Sequence, residues 1–137
     1  MSKVYSELVY HLVWATRGRE PLVNAETEAL LVPHIQGKCR QLGYWLHAVG
    51  CVEDHVHLLL TLRPTDTVAE VVKRLKGSSS HFVNSETGSG SVLYWQRGYG
   101  VLSLRKKDLP VVAEYVERQK EHHGAGGKTV AELERIE

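Results

Sequence analysis

The sequence predicts an α+β fold of the ferredoxin-like, split β-α-β kind, an antiparallel sheet with helices mainly on one face. Three observations predict it. Apolar runs rich in β-branched and aromatic residues alternate with helix-spaced runs in the order strand, helix, strand, strand, helix, strand, helix. A short connection holding Glu53 and Asp54 separates the second strand from the third, which is a hairpin spacing. A chain of 137 residues, 42% of them hydrophobic, suits a single domain over 1–137 with one main core.

The first strand is expected over Val4–Ala15, a run without proline or glycine that Thr16-Arg17-Gly18-Arg19 ends. Asn24 is placed to cap the first helix, whose apolar positions are Leu30, Leu31, His34, Ile35, Cys39 and Leu42. Pro33 predicts a kink or a later start, and Gly43 a stop. Tyr44–Cys51 and His55–Leu62 read as the hairpin strands. In the former, simple alternation puts His47 on one face with Trp45 and Val49. Thr65 or Asp66 can cap the next helix, with a stripe of Val68, Val71, Val72, Leu75 and Phe82, and residues 84–91 read as a flexible loop. Tyr99–Leu104 is the fourth strand. Asp108 caps a last long helix with Pro110 in its first turn and Val111, Val112, Tyr115 and Val116 on its apolar face. Gly124, Gly126 and Gly127 end it, and 124–137 forms a tail, mobile or carrying one more short helix.

Seventeen Lys and Arg against sixteen Asp and Glu leave a formal charge of +1, so a nucleic-acid partner requires basic residues gathered on one face. Lys73, Arg74 and Lys76 form one such group, and Arg97, Arg105, Lys106 and Lys107 another. Acidic residues collect at Glu26 and Glu28 and at Glu132, Glu134 and Glu137. Cys39 and Cys51 make no zinc motif and read as free thiols. Without a membrane-length apolar run or a signal-peptide layout, the cytoplasm is the expected compartment. A short chain buries a modest share of its surface, which favours pairing with a second copy.

His55 and His57 are two apart on a strand, so both imidazoles point to one face. Among Val56, Leu58, Leu59 and Leu60 they need polar company, either a divalent ion or hydrogen-bond partners. Asp54 is open to a role as ligand, as orienting group or as turn residue, whereas Glu53 reads as a turn residue. On the last helix Tyr115 and Gln119 share a face at i, i+4, about 6 Å apart. His122 and His123 suit the negative end of that helix. The run Gly124–Thr129 lacks the first glycine of a phosphate loop and follows a helix, so it reads as a helix stop.

Taken together, these segments resemble the HUH single-tyrosine transposases of the smallest insertion sequences. The resemblance runs through Tyr10-His11-Leu12-Val13-Trp14, Glu53-Asp54-His55-Val56-His57-Leu58-Leu59 and Lys73-Arg74-Leu75-Lys76-Gly77-Ser78-Ser79. It continues through Trp95-Gln96-Arg97-Gly98-Tyr99 and ends at Tyr115-Val116-Glu117-Arg118-Gln119. The resemblance implies that His55, His57 and Gln119 hold a Mg²⁺ or Mn²⁺ ion and that Tyr115 is the nucleophile. It also implies a homodimer whose active sites are shared between subunits, and a single-stranded DNA substrate with hairpin ends. Lys73, Arg74, Lys76, Arg97 and Tyr99 are then candidate DNA contacts, by charge and by stacking. For Trp95, packing is the preferred reading. The alternatives are a replication or end-processing nickase of the same chemistry, and a non-catalytic DNA-binding protein that keeps the fold.

Overall fold

The two most apolar runs of the chain become its two central strands, because a strand covered on both sides needs apolar residues on both. A computed structural model describes residues 3–87, 92–120 and 130–136. In it β1 (Leu8–Ala15) and β3 (His55–Leu62) lie side by side, flanked by β2 (Trp45–Val52) and β4 (Gly100–Leu104). The sheet order is β2-β3-β1-β4, and every neighbouring pair is antiparallel.

Helices α1 (Ala25–Leu42) and α2 (Val68–Thr87) cover one face. There Leu31, Ile35, Cys39, Val71, Val72 and Leu75 pack on Leu12, Trp14, Val56, Leu58 and Leu60. The other face carries α3 (Leu109–Glu117) and the short α4 (Ala131–Glu134), with Val112, Tyr115, Val116 and Leu133 against Val9, Ala48 and Leu59. The expectation of helices mainly on one face therefore holds only for the two long ones. The apolar residues of the second face, Val9 and Leu59 among them, already ask for a cover.

Several boundaries differ from expectation. Residues 4–7 are exposed and outside β1, since a β-rich composition forms no strand without a partner. Asn24 caps α1 as expected, its Oδ1 accepting from Thr27 N at 2.8 Å, and the helix runs through Pro33 to Leu42. The α2 cap is Thr67, whose Oγ1 accepts from Glu70 N at 3.3 Å; Asp66 is taken by Arg63 instead. Residues 84–87 belong to α2 instead of a loop, and the Asn84 side chain holds the backbone of Val92 and Leu93. The Asp108 carboxylate binds Arg105 and does not cap α3. Val111 points to solvent. The last helix is not continuous: it ends at Glu117, turns at Arg118, and helical conformation resumes at Gln119 and Lys120.

A bulge between Leu46 and Ala48 breaks the alternation of β2. His47 therefore keeps company with Trp45, on which it stacks, and with Thr61, its hydrogen-bond partner at 2.7 Å. Val49 packs instead against the core under α1, so it does not share the His47 face as simple alternation suggested.

Two glycines let the second layer descend onto the sheet. Gly50 pairs with His57 in β3, and His57 pairs on its other side with Val13, which faces Gly100. A Cβ at Gly50 would lie 1.8 Å from the Val116 carbonyl oxygen, and one at Gly100 would lie 1.8 Å from that of Arg135. Only a missing side chain permits backbone to approach a strand that closely. The row Gly50–His57–Val13–Gly100 thus brings α3 down on one side of His57 and the tail down on the other.

Candidate active site

His55 and His57 are buried and face the α3 side, as a His-x-His on a strand requires. The group that joins them is Glu134, from α4. Its Oε1 lies 3.0 Å from His55 Nε2 and 3.2 Å from His57 Nε2. Its other oxygen, Oε2, accepts a hydrogen bond from the Tyr115 hydroxyl. Tyr115 in turn accepts from Val130 N–H at 3.0 Å, and its ring stands edge-on to His57 with centroids 6.1 Å apart. The predicted nucleophile and the predicted histidine pair therefore meet within one chain.

Each imidazole has a partner on its far nitrogen. His55 Nδ1 lies 2.7 Å from Asp54 Oδ1, and Arg19 pairs with the same carboxylate at 3.3 Å. Asp54 is thus an orienting group as well as a turn residue. His57 Nδ1 lies 2.8 Å from Nε2 of His11, a buried residue of β1. Gln119 is buried one turn beyond Tyr115, and its Nε2 donates to the Tyr115 carbonyl at 2.9 Å.

The electrostatics follow from burial and these partners. Burial raises the Tyr115 phenol, and the bond to Glu134 raises it further, up to about 12. Burial works to raise Glu134 as well, but hydrogen bonds from His55 and His57 outweigh it and hold that carboxyl far below the usual range. For His55 the burial penalty is likewise overcome, by Glu134 and then Asp54, and its pKa is raised. His11 has no such carboxylate in contact: burial, with His57 beside it, pushes it down to about 3, so it is neutral.

His55, His57 and Glu134 fit a divalent ion. Each offers one donor atom, and these atoms lie within 4.8 Å of one another. Two imidazoles and a carboxylate are a common ligand chemistry for first-row divalent ions. The second partners, Asp54 and His11, fix the ring planes as metal-bound histidines usually require.

The remaining candidates lie on α2 and on the segment before β4, where Lys76 and Arg97 line one cavity. Lys73 and Arg74 are exposed on α2, and Arg74 pairs with Glu70 at 3.0 Å. Lys76 is engaged otherwise: its Nζ donates to the carbonyls of Gln96 at 2.8 Å and Gly98 at 2.7 Å, tying that loop to α2. Arg97 is exposed and Tyr99 half-buried against the main core. Trp95 packs edge-on against Trp14 and donates to Ser79 Oγ at 3.0 Å. His122, His123 and the run 124–129 lie outside the described residues.

Sequence reasoning missed Glu134 and His11. Glu134 read as one member of an acidic tail, and nothing local distinguishes it from Glu132. His11 carried a signal that went unused: a histidine amid Tyr10, Leu12, Val13 and Trp14 of a central strand must find a polar partner.

Comparison with known proteins agrees with this geometry. The family model described as "Transposase IS200 like" matches residues 4–119. The chain is 28% identical over 120 residues to the ISDra2 transposase TnpA of Deinococcus radiodurans, which covers 82% of this chain and 84% of that protein. It is 26% identical over 122 residues to the transposase for insertion sequence element IS200 of Salmonella typhimurium, covering 85% and 80%. A crystal structure of a Deinococcus radiodurans transposase superposes with a TM-score of 0.68 at 29% identity, over 87% of this chain and 98% of that one. The fold is also that of a REP-associated tyrosine transposase bound to a REP hairpin, with a TM-score of 0.63 at 18% identity over 90% and 75% of the two chains. With its family model spanning most of the sequence and its tyrosine set against a histidine pair, the chain belongs to the IS200-like transposase family.

Proposed function

We propose that this chain is a metal-dependent transposase that cleaves and rejoins single-stranded DNA through a covalent 5′-phosphotyrosine intermediate on Tyr115. The observation that carries this reading is the convergence of the Tyr115 hydroxyl and both imidazoles on one carboxylate. A nuclease that discards its product needs no protein nucleophile; an enzyme that must rejoin DNA does.

His55, His57 and Glu134 would hold the ion, and Gln119 is a further proposed ligand one turn beyond the tyrosine. When bound, a Mg²⁺ or Mn²⁺ ion supplies polarisation of a phosphoryl oxygen. Imidazole beside carboxylate favours Mn²⁺ on ligand chemistry, and Mg²⁺ only through abundance. Tyr115 Oη forms the new bond to phosphorus as the bond from phosphorus to the 3′ oxygen breaks. The phenol gives up its proton as that bond forms, and the electron pair leaves with the 3′ oxygen, which takes up a proton in exchange to become a free 3′-hydroxyl. Glu134 opposes the attack as it stands, since a carboxylate beside a phenol disfavours its ionisation. Its charge must be countered or withdrawn before Tyr115 becomes a nucleophile. The stored phosphodiester then allows another 3′-hydroxyl to reverse the step without ATP.

Single-stranded DNA with hairpin ends is the proposed substrate, with Lys73, Arg74, Lys76, Arg97 and Tyr99 as its contacts. Of these, Lys73 and Arg97 best fit phosphates, being exposed. A homodimer is the proposed assembly, in which exchange of the Tyr115 helix would share the active sites, since within one chain the tyrosine already meets its own histidine pair. The strand order and connectivity support a ferredoxin-like split β-α-β classification of one domain over 1–137. No described helix is long and apolar enough to cross a membrane, and the cytoplasm is the proposed compartment.

The test mixes parent and Tyr115→Phe proteins with labelled single-stranded hairpin oligonucleotides in Mn²⁺. The parent is expected to give an adduct that survives denaturation and the variant none. An equal adduct from both would remove Tyr115 as nucleophile. Transfer of the held strand to a second 3′-hydroxyl would separate a transposase from a nickase.

A further inference from the structure

The two imidazoles of the site are held by chemically different partners. Asp54, when ionised, can only accept a hydrogen bond. Its contact with His55 Nδ1 therefore puts a proton on Nδ1 and leaves Nε2 as the nitrogen available to an ion. His57 Nδ1 instead meets the Nε2 of another imidazole, 2.8 Å away. A neutral imidazole donates from one nitrogen and accepts at the other, so either ring can be the donor in this bond.

We infer that His11 is a positioning residue for the metal site, one that accepts a hydrogen bond from His57 Nδ1–H when an ion is bound and donates one to His57 Nδ1 when the site holds Glu134 alone. This rests on the metal-site reading above. Without an ion, His57 Nε2 faces Glu134 Oε1 at 3.2 Å, a contact that requires the proton on Nε2. With His57 neutral, its Nδ1 is then an acceptor, and His11 must donate from its own Nε2. With an ion, His57 Nε2 needs its lone pair, so its proton sits on Nδ1 and His11 Nε2 must accept. On ion binding the proton between the rings passes from His11 Nε2 to His57 Nδ1, the His57 Nε2 proton is released to solvent, and His11 Nδ1 takes one up from solvent, so neither ring changes charge. A carboxylate at position 11 would serve only the second state. An ammonium group would serve only the first.

Geometry supports the assignment independently. His11 is buried on β1, on the same sheet face as His57, and their rings lie 5.0 Å apart.

The experiment measures Mn²⁺ affinity by the electron paramagnetic resonance signal of free Mn²⁺, for the parent, His11→Gln and His11→Phe. Gln carries an amide that can turn to donate or accept near the position of Nε2. It is expected to bind within about threefold of the parent, while Phe loses about 10- to 100-fold, the usual range for an outer partner of a metal histidine. Separately, ¹⁵N spectra of the parent are expected to show His57 changing tautomer when a diamagnetic ion, Mg²⁺ or Zn²⁺, is added. A folded His11→Phe protein that binds as the parent does would overturn the inference while leaving the site intact. So would a His57 tautomer that does not change, a result that needs no variant to fold. A parent that binds no Mn²⁺ would overturn the metal site itself and this inference with it.

Discussion

The hydroxyl of Tyr115, on α3, donates a hydrogen bond to the carboxylate of Glu134, nineteen residues later on α4. The same carboxylate lies against both site histidines, so a single side chain of the tail links the proposed nucleophile to the proposed ion-binding pair.

Replacing Glu134 with Gln should lower the Tyr115 pKa from about 12 towards 10.0, the ordinary value, because a negative neighbour is removed while burial remains. Near-ultraviolet phenolate titration of the metal-free protein, with Tyr115→Phe subtracted, checks this. The same variant should bind Mn²⁺ more weakly than the parent.

A raised phenol pKa also has a consequence for stability. A group whose folded pKa exceeds its unfolded value stabilises the fold fully below the unfolded pKa. That contribution is lost as pH rises through the folded one. For Tyr115 the window runs from 10.0 to about 12. The stability advantage of the metal-free parent over Tyr115→Phe should therefore be constant at neutral pH and shrink above pH 10.0. Urea titrations at stepped pH would show it.

Gly50→Ala should destabilise the protein by about 2 kcal/mol or more, since the new Cβ meets backbone, which cannot swing aside. It should also displace α3, so cleavage falls further than the folded fraction does. Gly100→Ala pushes against Arg135 instead, and should loosen the tail. Its signature is a Tyr115 pKa that falls as in Glu134→Gln.

Lys73 and Lys76 should behave differently although they are three residues apart. Lys73→Ala removes an exposed charge and should flatten the salt dependence of DNA binding, by about 0.7 in the logarithmic slope for each phosphate that the protein no longer neutralises. Lys76→Ala frees the carbonyls of Gln96 and Gly98 and should cost about 1–3 kcal/mol of stability. Affinity against salt, alongside thermal unfolding, distinguishes the two.

The strands and helices were largely legible because their signals are local. The hairpin around Glu53 and Asp54, the Asn24 cap and the stripe of Val71, Val72 and Leu75 all depend on near neighbours, and all appear. Errors arose where a local rule met a competitor. Asp66 and Asp108 have the chemistry of helix caps, yet each carboxylate is taken by an arginine three residues earlier. Alternation in β2 fails at His47 because a bulge inserts one residue, which period-2 patterning does not reveal.

The sequence by itself determined that two histidines share one face of a buried strand and that a tyrosine follows on a late helix, since strand periodicity and helix spacing act over a few residues. Tertiary structure alone decided that Glu134 would come between them and that His11 would back His57. Those pairings span 77 and 46 residues of chain. They depend on sheet register and on two glycines that let separate segments approach one strand, and no short-range pattern encodes where distant segments will meet.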